Sequence, residues 1–289
     1  MSWLNRNWVI MRISTAKLIS ISLGLIILNL EFTVVSDAQL TGRKFLEKAV
    51  AIWTFEEAGM KGIPDITGNG HDAKLINKPA LVDGKFGRAI EFSDTRKNYL
   101  EVSDDVGLNL EGVISISVWV KRPPRLQATD VAPYFILHRG GEWQWHGAGY
   151  GIALHKVFNN MFYFWYENGW QGVSGIKDDQ WHHYVVVAKD GERAPTLYID
   201  GESKPIEHGD GVKKMGLAPP HGQSMYIGAL LPARFDSFSK SLIDELAIFN
   251  VALTDADVKQ LGKGLDIAIF AVSPSGKLAT SWAAMKSNH

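Results

Sequence analysis

Short runs in which polar and apolar residues alternate dominate the middle of the chain, and they predict a protein built mainly from β-strands. The run from Ile114 to Val120 alternates strictly, and Pro123-Pro124 ends it. Turn signals such as Lys189-Asp190-Gly191 and Asp200-Gly201 separate neighbouring runs. Roughly eleven such strands favour an all-β, antiparallel sandwich over repeated strand–helix–strand units.

One short helix is predicted with clear boundaries, and it follows the closing strand at Leu242 to Phe249. Thr254 has the position of a helix N-cap, Asp257 has the position of the reciprocal carboxylate, and Gly262 is a stop signal. The apolar closing strand also contains the acidic pair Asp244-Glu245. Two carboxylates in such a strand lie either at its solvent-exposed end or at a site where they bind a ligand.

The predicted sandwich covers residues 49–262, because no internal repeat or Pro/Ser-rich linker divides that part of the chain. Residues 39–48 form a polar lead-in with helical character. In the C-terminal tail, residues 263–289, the pattern from Leu265 to Val272 is compatible with a further edge strand.

Composition and charge narrow the classes of function. The 289-residue chain contains no cysteine, which excludes disulfides, thiolate metal sites and cysteine catalysis. Its net charge is −1, so the composition does not favour nucleic acid or an anionic membrane surface as a partner.

The first 38 residues have the pattern of a secretory signal peptide. Basic residues precede the apolar run Leu18 to Leu30, and Ser36-Asp37-Ala38 supplies small residues for cleavage after Ala38. A membrane anchor is the alternative, but 13 apolar residues fall short of the ~20 that span a bilayer. We therefore expect a secreted or cell-envelope protein without a membrane span after cleavage.

Three ordered motifs resemble a known family. Trp53-x-Phe55-Glu56-Glu57, the segment Trp181-His182-His183 with the later Leu197 to Gly201, and Ile243 to Leu253 are similar to laminin-G-like jelly-roll domains of the concanavalin A-like lectin/glucanase superfamily. The resemblance implies two packed antiparallel sheets with the first and last strands side by side. It also implies a structural calcium near the ends of those strands. It does not specify a function, because that fold hosts lectins, adhesion modules and glycanases.

A calcium site is predicted from the loop Asp65-Ile66-Thr67-Gly68-Asn69-Gly70-His71-Asp72. Oxygen-bearing side chains alternate in it as in the first half of a calcium loop, although Ile76 stands where an EF-hand requires glutamate. The predicted ligands are Asp65, Asn69, Asp72 and, because the family resemblance brings the closing strand close, Asp244. The alternative is an Asx-type turn that satisfies its own backbone, with Asp244 capping a strand end. Glu245 is expected at the solvent or rim.

Three tryptophans in loop-like segments are candidates for binding carbohydrate: Trp143, Trp145 and Trp170. Each lies near glycine, asparagine or glutamine, and an indole beside amide groups suits a sugar ring that has apolar faces and polar edges. The alternative is that they fill the core, as we expect for Trp53, Trp119, Trp165 and Trp181.

Catalysis is not predicted. His182 and His183 are neighbours on a strand and point to opposite faces, so we expect one to be packed inside and the other to face solvent. No predicted strand carries the paired carboxylates of a glycoside hydrolase. The sequence thus predicts a binding module for a glycan or glycoprotein, with a structural or protein-interaction domain as the alternative and a glycan-active hydrolase less favoured.

Overall fold

The computed structural model describes residues 42–93, 96–122, 134–140, 148–155, 161–167, 169–176, 178–210, 214–218, 220, 222–230 and 237–270. The predicted signal peptide, the end of the tail, and Trp143 and Trp145 lie outside these residues.

Within the described residues the chain forms eighteen short strands and three short α-helices. The strands are β1 Ala49–Trp53, β2 Lys74–Ile76, β3 Ala80–Asp83, β4 Arg88–Glu91, β5 Tyr99–Val102, β6 Val113–Lys121, β7 Tyr134–Gly140, β8 Gly149–Leu154, β9 Phe162–Tyr166, β10 Gly169–Val173, β11 Trp181–Lys189, β12 Thr196–Ile199, β13 Glu202–Lys204, β14 His208–Gly209, β15 Met225–Ile227, β16 Ala229–Leu230, β17 Ser237–Phe238 and β18 Leu242–Phe249. The helices are α1 Arg43–Lys48, α2 Asp255–Leu261 and α3 Leu265–Phe270.

Two antiparallel sheets make up the sandwich, as the alternating pattern predicts. The first sheet has the order β13-β12-β11-β6-β18-β4-β3, and β1 pairs with β18 beside that path. The second sheet has the order β14-β10-β9-β8-β7-β15-β5-β2, and β16 and β17 form a separate ribbon. The antiparallel β1–β18 pair confirms that the first and last strands are neighbours.

The main core lies between the two sheets. Alternate residues of each strand point inward, so Ile116 and Val118 of β6 meet Phe162 and Phe164 of β9 in one buried cluster. The outer face of the first sheet has a second apolar cluster, in which Phe45 of α1 and residues of α2 and α3 pack over the strands. Helices therefore cover the first sheet from outside.

Helix α2 begins as the sequence predicts. The Thr254 hydroxyl accepts a hydrogen bond from the Asp257 backbone N–H at 3.2 Å, and Asp257 accepts one from the Thr254 backbone N–H at 2.8 Å. This capping box satisfies two N–H groups at the start of the helix.

The expected edge strand at Leu265 to Val272 is wrong, because residues 265–270 form helix α3. Leu265, Ala268 and Ile269 are buried, and their spacing places them on one helical face against the first sheet. None of the described helices is both long and apolar enough to cross a membrane.

Candidate functional site

The Asp65 loop is closed by its own hydrogen bonds. Oδ1 of Asp65 accepts the backbone N–H of Ile52 at 3.0 Å and that of Thr67 at 3.1 Å. Oδ2 accepts the backbone N–H of His71 at 3.2 Å, and the Thr67 hydroxyl lies 2.8 Å from both carboxylate oxygens. The carboxylate is thus saturated by donors from its own loop and from β1.

The other predicted ligands in this loop are engaged in the same way. The Asn69 side-chain N–H₂ donates to the Val50 carbonyl at 2.9 Å and to the Ala49 carbonyl at 3.4 Å. Oδ1 of Asp72 accepts the backbone N–H of Asp65 at 2.9 Å. The loop therefore has the arrangement of an Asx-type turn fastened to β1.

Asp244 lies in a different network. Its Oδ2 accepts the backbone N–H groups of Lys85 at 2.8 Å and Phe86 at 3.0 Å, in the turn between β3 and β4. Its Oδ1 is buried and has no hydrogen-bond partner among the described residues. Burial raises the pKa of the Asp244 carboxyl to about 7, while the two N–H donors act in the opposite direction.

Glu245 is buried, which corrects the expectation that it lies at the solvent or rim. A register shift between Asp244 and Ala247 in the β18–β6 pair marks a β-bulge, and Glu245 has a φ of 48°. Its Oε2 accepts the backbone N–H of Leu265 at 2.8 Å, at the start of α3. Burial raises the pKa of the Glu245 carboxyl to about 8, and the nearby Asp244 adds to this rise.

The four predicted calcium ligands do not fit one calcium site in this arrangement. Calcium needs six to eight oxygen ligands, whereas the Asp65 oxygens already accept N–H and O–H groups and Asp244 binds the β3–β4 turn. Among the described residues, no group of three or more His, Cys, Asp or Glu side chains is placed to hold a metal ion. The family resemblance still implies a calcium site, whereas the contacts of these four side chains argue against one.

The two neighbouring histidines lie in different environments. His183 is buried, stacks on Trp119 with ring centroids 5.2 Å apart, and its Nε2 lies 2.8 Å from the Ser117 hydroxyl. Burial lowers the pKa of His183 to about 4, so the ring is neutral at physiological pH. His182 is partly exposed and lies between Asp200, 2.7 Å from Nδ1, and Asp178, 2.8 Å from Nε2.

The outer face of the second sheet carries an aromatic cluster. Tyr163 and Trp165 of β9 alternate with inward-pointing neighbours and pack with Phe135 of β7. The ring of His138, also on β7, lies 5.3 Å from that of Trp165 and 5.4 Å from that of Phe135, measured between centroids. The period-two pattern of residues 162–166 indicates that Tyr163 and Trp165 share one face of the strand, and this signal could have identified the cluster.

Two side chains in this cluster have polar atoms that are buried without hydrogen bonds in the described structure. These atoms are the two ring nitrogens of His138 and the hydroxyl oxygen of Tyr163. Burial lowers the pKa of His138 to about 3 and raises that of Tyr163. Both side chains are therefore neutral, and the cluster is an uncharged aromatic support.

Trp170, the one predicted carbohydrate-binding tryptophan among the described residues, lies at the edge of this cluster on β10. Its indole is half-buried and packs edge-to-face on Tyr163, with ring centroids 6.0 Å apart. Its backbone N–H donates to Oδ1 of Asp210 at 3.1 Å. A Cβ on Gly169 would lie 2.5 Å from that carboxylate oxygen, so any other residue there would require the Asp210 side chain to move.

Polar groups line the β10–β14 pair at this edge of the sheet. Asp210 and Glu207 are exposed, and Glu207 accepts a hydrogen bond from the Ser174 hydroxyl. His208 of β14 lies 3.9 Å from Glu207, measured from Nε2 to Oε2. We name this set, Trp170, Ser174, Glu207, His208 and Asp210, the Trp170 edge. The four polar members were not predicted from the sequence. Glu207, His208 and Asp210 lie 37 to 40 residues from Trp170, and only the β10–β14 pairing brings their segment beside β10.

Comparisons with solved structures give the same fold. Domain 4 of AbnA, a GH43 extracellular arabinanase from Geobacillus stearothermophilus, in complex with arabinotriose, is 24% identical, with a TM-score of 0.54 over 74% of this chain and 98% of that one. The receptor binding domain of botulinum neurotoxin D is 12% identical, with a TM-score of 0.51 over 76% of this chain and 53% of that one. A Trypanosoma rangeli sialidase is 15% identical, with a TM-score of 0.54 over 77% of this chain and 33% of that one.

Sequence comparisons identify the family. No curated protein matches the chain. The family model described as the concanavalin A-like lectin/glucanases superfamily matches residues 94–259, more than half of the chain. That range includes most strands of both sheets, the Trp170 edge and the closing strand. The chain therefore belongs to the concanavalin A-like lectin/glucanase superfamily.

Proposed function

We propose that this protein is a secreted, non-catalytic binding module that holds a glycan at the Trp170 edge. The observation that carries the proposal is a half-buried indole, supported from behind by Tyr163, with the exposed carboxylate of Asp210 held at the Trp170 backbone. The exposed carboxylate of Glu207 lies further along the same sheet edge. A sugar ring places its C–H face on an aromatic ring, while its hydroxyls donate to neighbouring acceptors.

The aromatic cluster behind Trp170 supports the proposal energetically. The perpendicular Tyr163 ring limits the movement of the indole, so less conformational entropy is lost when a ligand binds. Asp210 is held against the strand by the Trp170 backbone N–H, which orients the carboxylate before the ligand arrives.

The non-catalytic part of the proposal rests on where the perturbed carboxylates lie. Raised pKa values often indicate catalytic acids, and Asp244 and Glu245 have such values. Both are buried, however, and each accepts backbone N–H groups of a structural segment. In this position they shape the fold and are not accessible to a glycan.

Fold relatives agree with this proposal. One similar structure is a domain of an arabinanase bound to arabinotriose, and another is a receptor binding domain. Secretion is supported by the signal pattern of residues 1–38, and N-terminal sequencing of the exported protein should give a chain that begins at Gln39.

A glycan array with the purified protein tests the binding function, followed by titration of the best glycan. We expect Trp170→Ala to weaken binding at least about tenfold, which corresponds to about 1.4 kcal/mol. Trp181→Ala is the matched control, because Trp181 is also a half-buried strand indole but belongs to the first sheet. Full affinity in Trp170→Ala would reject the Trp170 edge, and a silent array would favour a protein-interaction domain.

A further inference from the structure

A groove of about 320 Å³ lies on the outer face of the first sheet, away from the Trp170 edge. It is bounded by the β11–β12 hairpin and by the connection from β18 to α2. Its volume is at the lower end of the ~300–1,000 Å³ typical of ligand sites. We name it the Tyr198 groove, after the aromatic residue in its wall.

The groove combines an apolar floor with a polar rim. Val187, Tyr198 and Leu253 are almost fully buried and belong to the apolar cluster under the helices. The rim is formed by Lys189 and Glu192, which are about half exposed and 3.7 Å apart, together with Thr196 and Asp255.

Asp255 is held in position on this rim. The Tyr198 hydroxyl donates to its Oδ1 at 2.8 Å, whereas no hydrogen bond engages its Oδ2 in the described structure. The Thr196 hydroxyl likewise has no described hydrogen bond. These groups keep unused hydrogen-bonding capacity directed at one small volume.

The chemistry of the rim selects a class of ligand. A sugar hydroxyl donates and accepts at once, so it can donate to a carboxylate while it accepts from the Lys189 ammonium. One cation and two carboxylates give the lining a formal charge of −1 (1 minus 2), which disfavours anionic ligands. We propose that the Tyr198 groove is a second ligand site, which binds a neutral sugar residue independently of the Trp170 edge.

The test is a backbone amide NMR titration of the purified protein with arabinose, galactose and glucuronic acid. We expect arabinose or galactose to shift the amide signals of Thr196, Leu253 and Asp255 in a saturable way, and glucuronic acid to shift them much less. Failure of both neutral sugars to shift these signals would overturn the proposal.

Two variants sharpen the test. Thr196→Trp should fill the groove and abolish the shifts, and it should remain folded because Thr196 is an exposed strand residue. Asp255→Asn keeps an acceptor for the Tyr198 hydroxyl but removes one negative charge. The affinity for glucuronic acid should therefore rise toward that for the neutral sugars. Shifts that persist in a folded Thr196→Trp variant would place the sugar elsewhere and reject the groove.

Trp170→Ala separates this inference from the proposed function. It should leave the groove signals responsive while it weakens binding on the glycan array at least about tenfold. If the groove amides do not shift with neutral sugars but array binding depends on Trp170, the groove alone is rejected. If the groove amides shift but array binding does not depend on Trp170, the Trp170 edge alone is rejected.

Discussion

Asp65 and Asp244 are both buried aspartates that fasten a loop to the first sheet, yet their carboxylates accept very different sets of hydrogen bonds. Asp65 accepts three backbone N–H groups and a hydroxyl, shared between its two oxygens. Asp244 accepts two backbone N–H groups on one oxygen, and its other oxygen has no partner in the described structure.

The difference shows how burial and hydrogen bonding compete. A buried carboxylate loses its hydration, and only a full set of donors replaces that loss. Asp65 has such a set because the Asx-type turn presents N–H groups at short spacing. Asp244 lacks it, which is why burial dominates and the pKa of its carboxyl rises to about 7.

The largest expected effect is that of Asp65→Ala. It removes the acceptor of the Ile52, Thr67 and His71 N–H groups at once, and we expect the free energy of unfolding to fall by roughly 3–5 kcal/mol. Urea unfolding followed by tryptophan fluorescence measures it. Asp83→Ala, at an exposed strand end, is the control and should change the stability little. A loss below about 1 kcal/mol in Asp65→Ala would mean that water replaces the carboxylate.

The second prediction concerns the pH dependence that Asp244 imposes. Because its folded pKa is raised, its contribution to stability is fully present below the unfolded pKa near 4 and is lost as the pH rises toward about 7. Asp244→Asn cannot ionise, so its stability relative to wild type should improve by roughly 2 kcal/mol between pH 5 and pH 8.

Unfolding midpoints at several pH values, with Asp83→Asn as the matched control, measure this change. A pH-independent difference for Asp244→Asn would show that the Asp244 carboxyl is ionised throughout this pH range. The same shift in the control would show that the pH effect is not specific to Asp244. Glu245, whose folded pKa is about 8, acts in the same direction and remains in both proteins. Asp244→Asn also removes the charge that adds to the rise of the Glu245 pKa, so the measured difference includes this smaller effect.

Asn69→Ala should change the free energy of unfolding less than Asp65→Ala or Asp244→Asn does. It removes the amide that binds the Val50 and Ala49 carbonyls, of which only the first bond is short, and the site is partly open to water. We expect a loss of about 1 kcal/mol, measured by the same urea titration. A loss as large as that of Asp65→Ala would show that the loop opens as one unit.

The smallest expected effect is that of calcium. Because the Asp65 oxygens are already engaged, we expect added calcium to leave the melting temperature of the purified protein unchanged, as checked by calorimetry. Binding heat that disappears in Asp244→Asn would instead support the calcium site that the family resemblance implies, with Asp244 as a ligand.

Local patterns were enough to predict much of this protein. The alternation of residues 114–120 predicts β6, and Thr254 with Asp257 predicts the capping box, because each depends on residues close in the chain. The Asp65 turn belongs to this group, since its partners lie 2 to 13 residues away.

Other features depended on residues that are distant in sequence. The partners of Asp244 lie 158 and 159 residues away, and only the pairing of β18 with β4 brings them within hydrogen-bond distance. The bulge at Glu245 turned an expected rim residue inward, and the helical tail that buries it could not be inferred from the strand alone. The segment with Glu207, His208 and Asp210 lies beside β10 for the same reason.

The sequence by itself therefore determined most of the longer strands, several turns, the helix cap and the family, because short-range periodicity and capping are encoded within a few residues. Only the tertiary structure decided which carboxylates lose their water and which aromatic ring keeps an exposed face. Burial is a property of all the elements that pack around a residue, and no local pattern contains it.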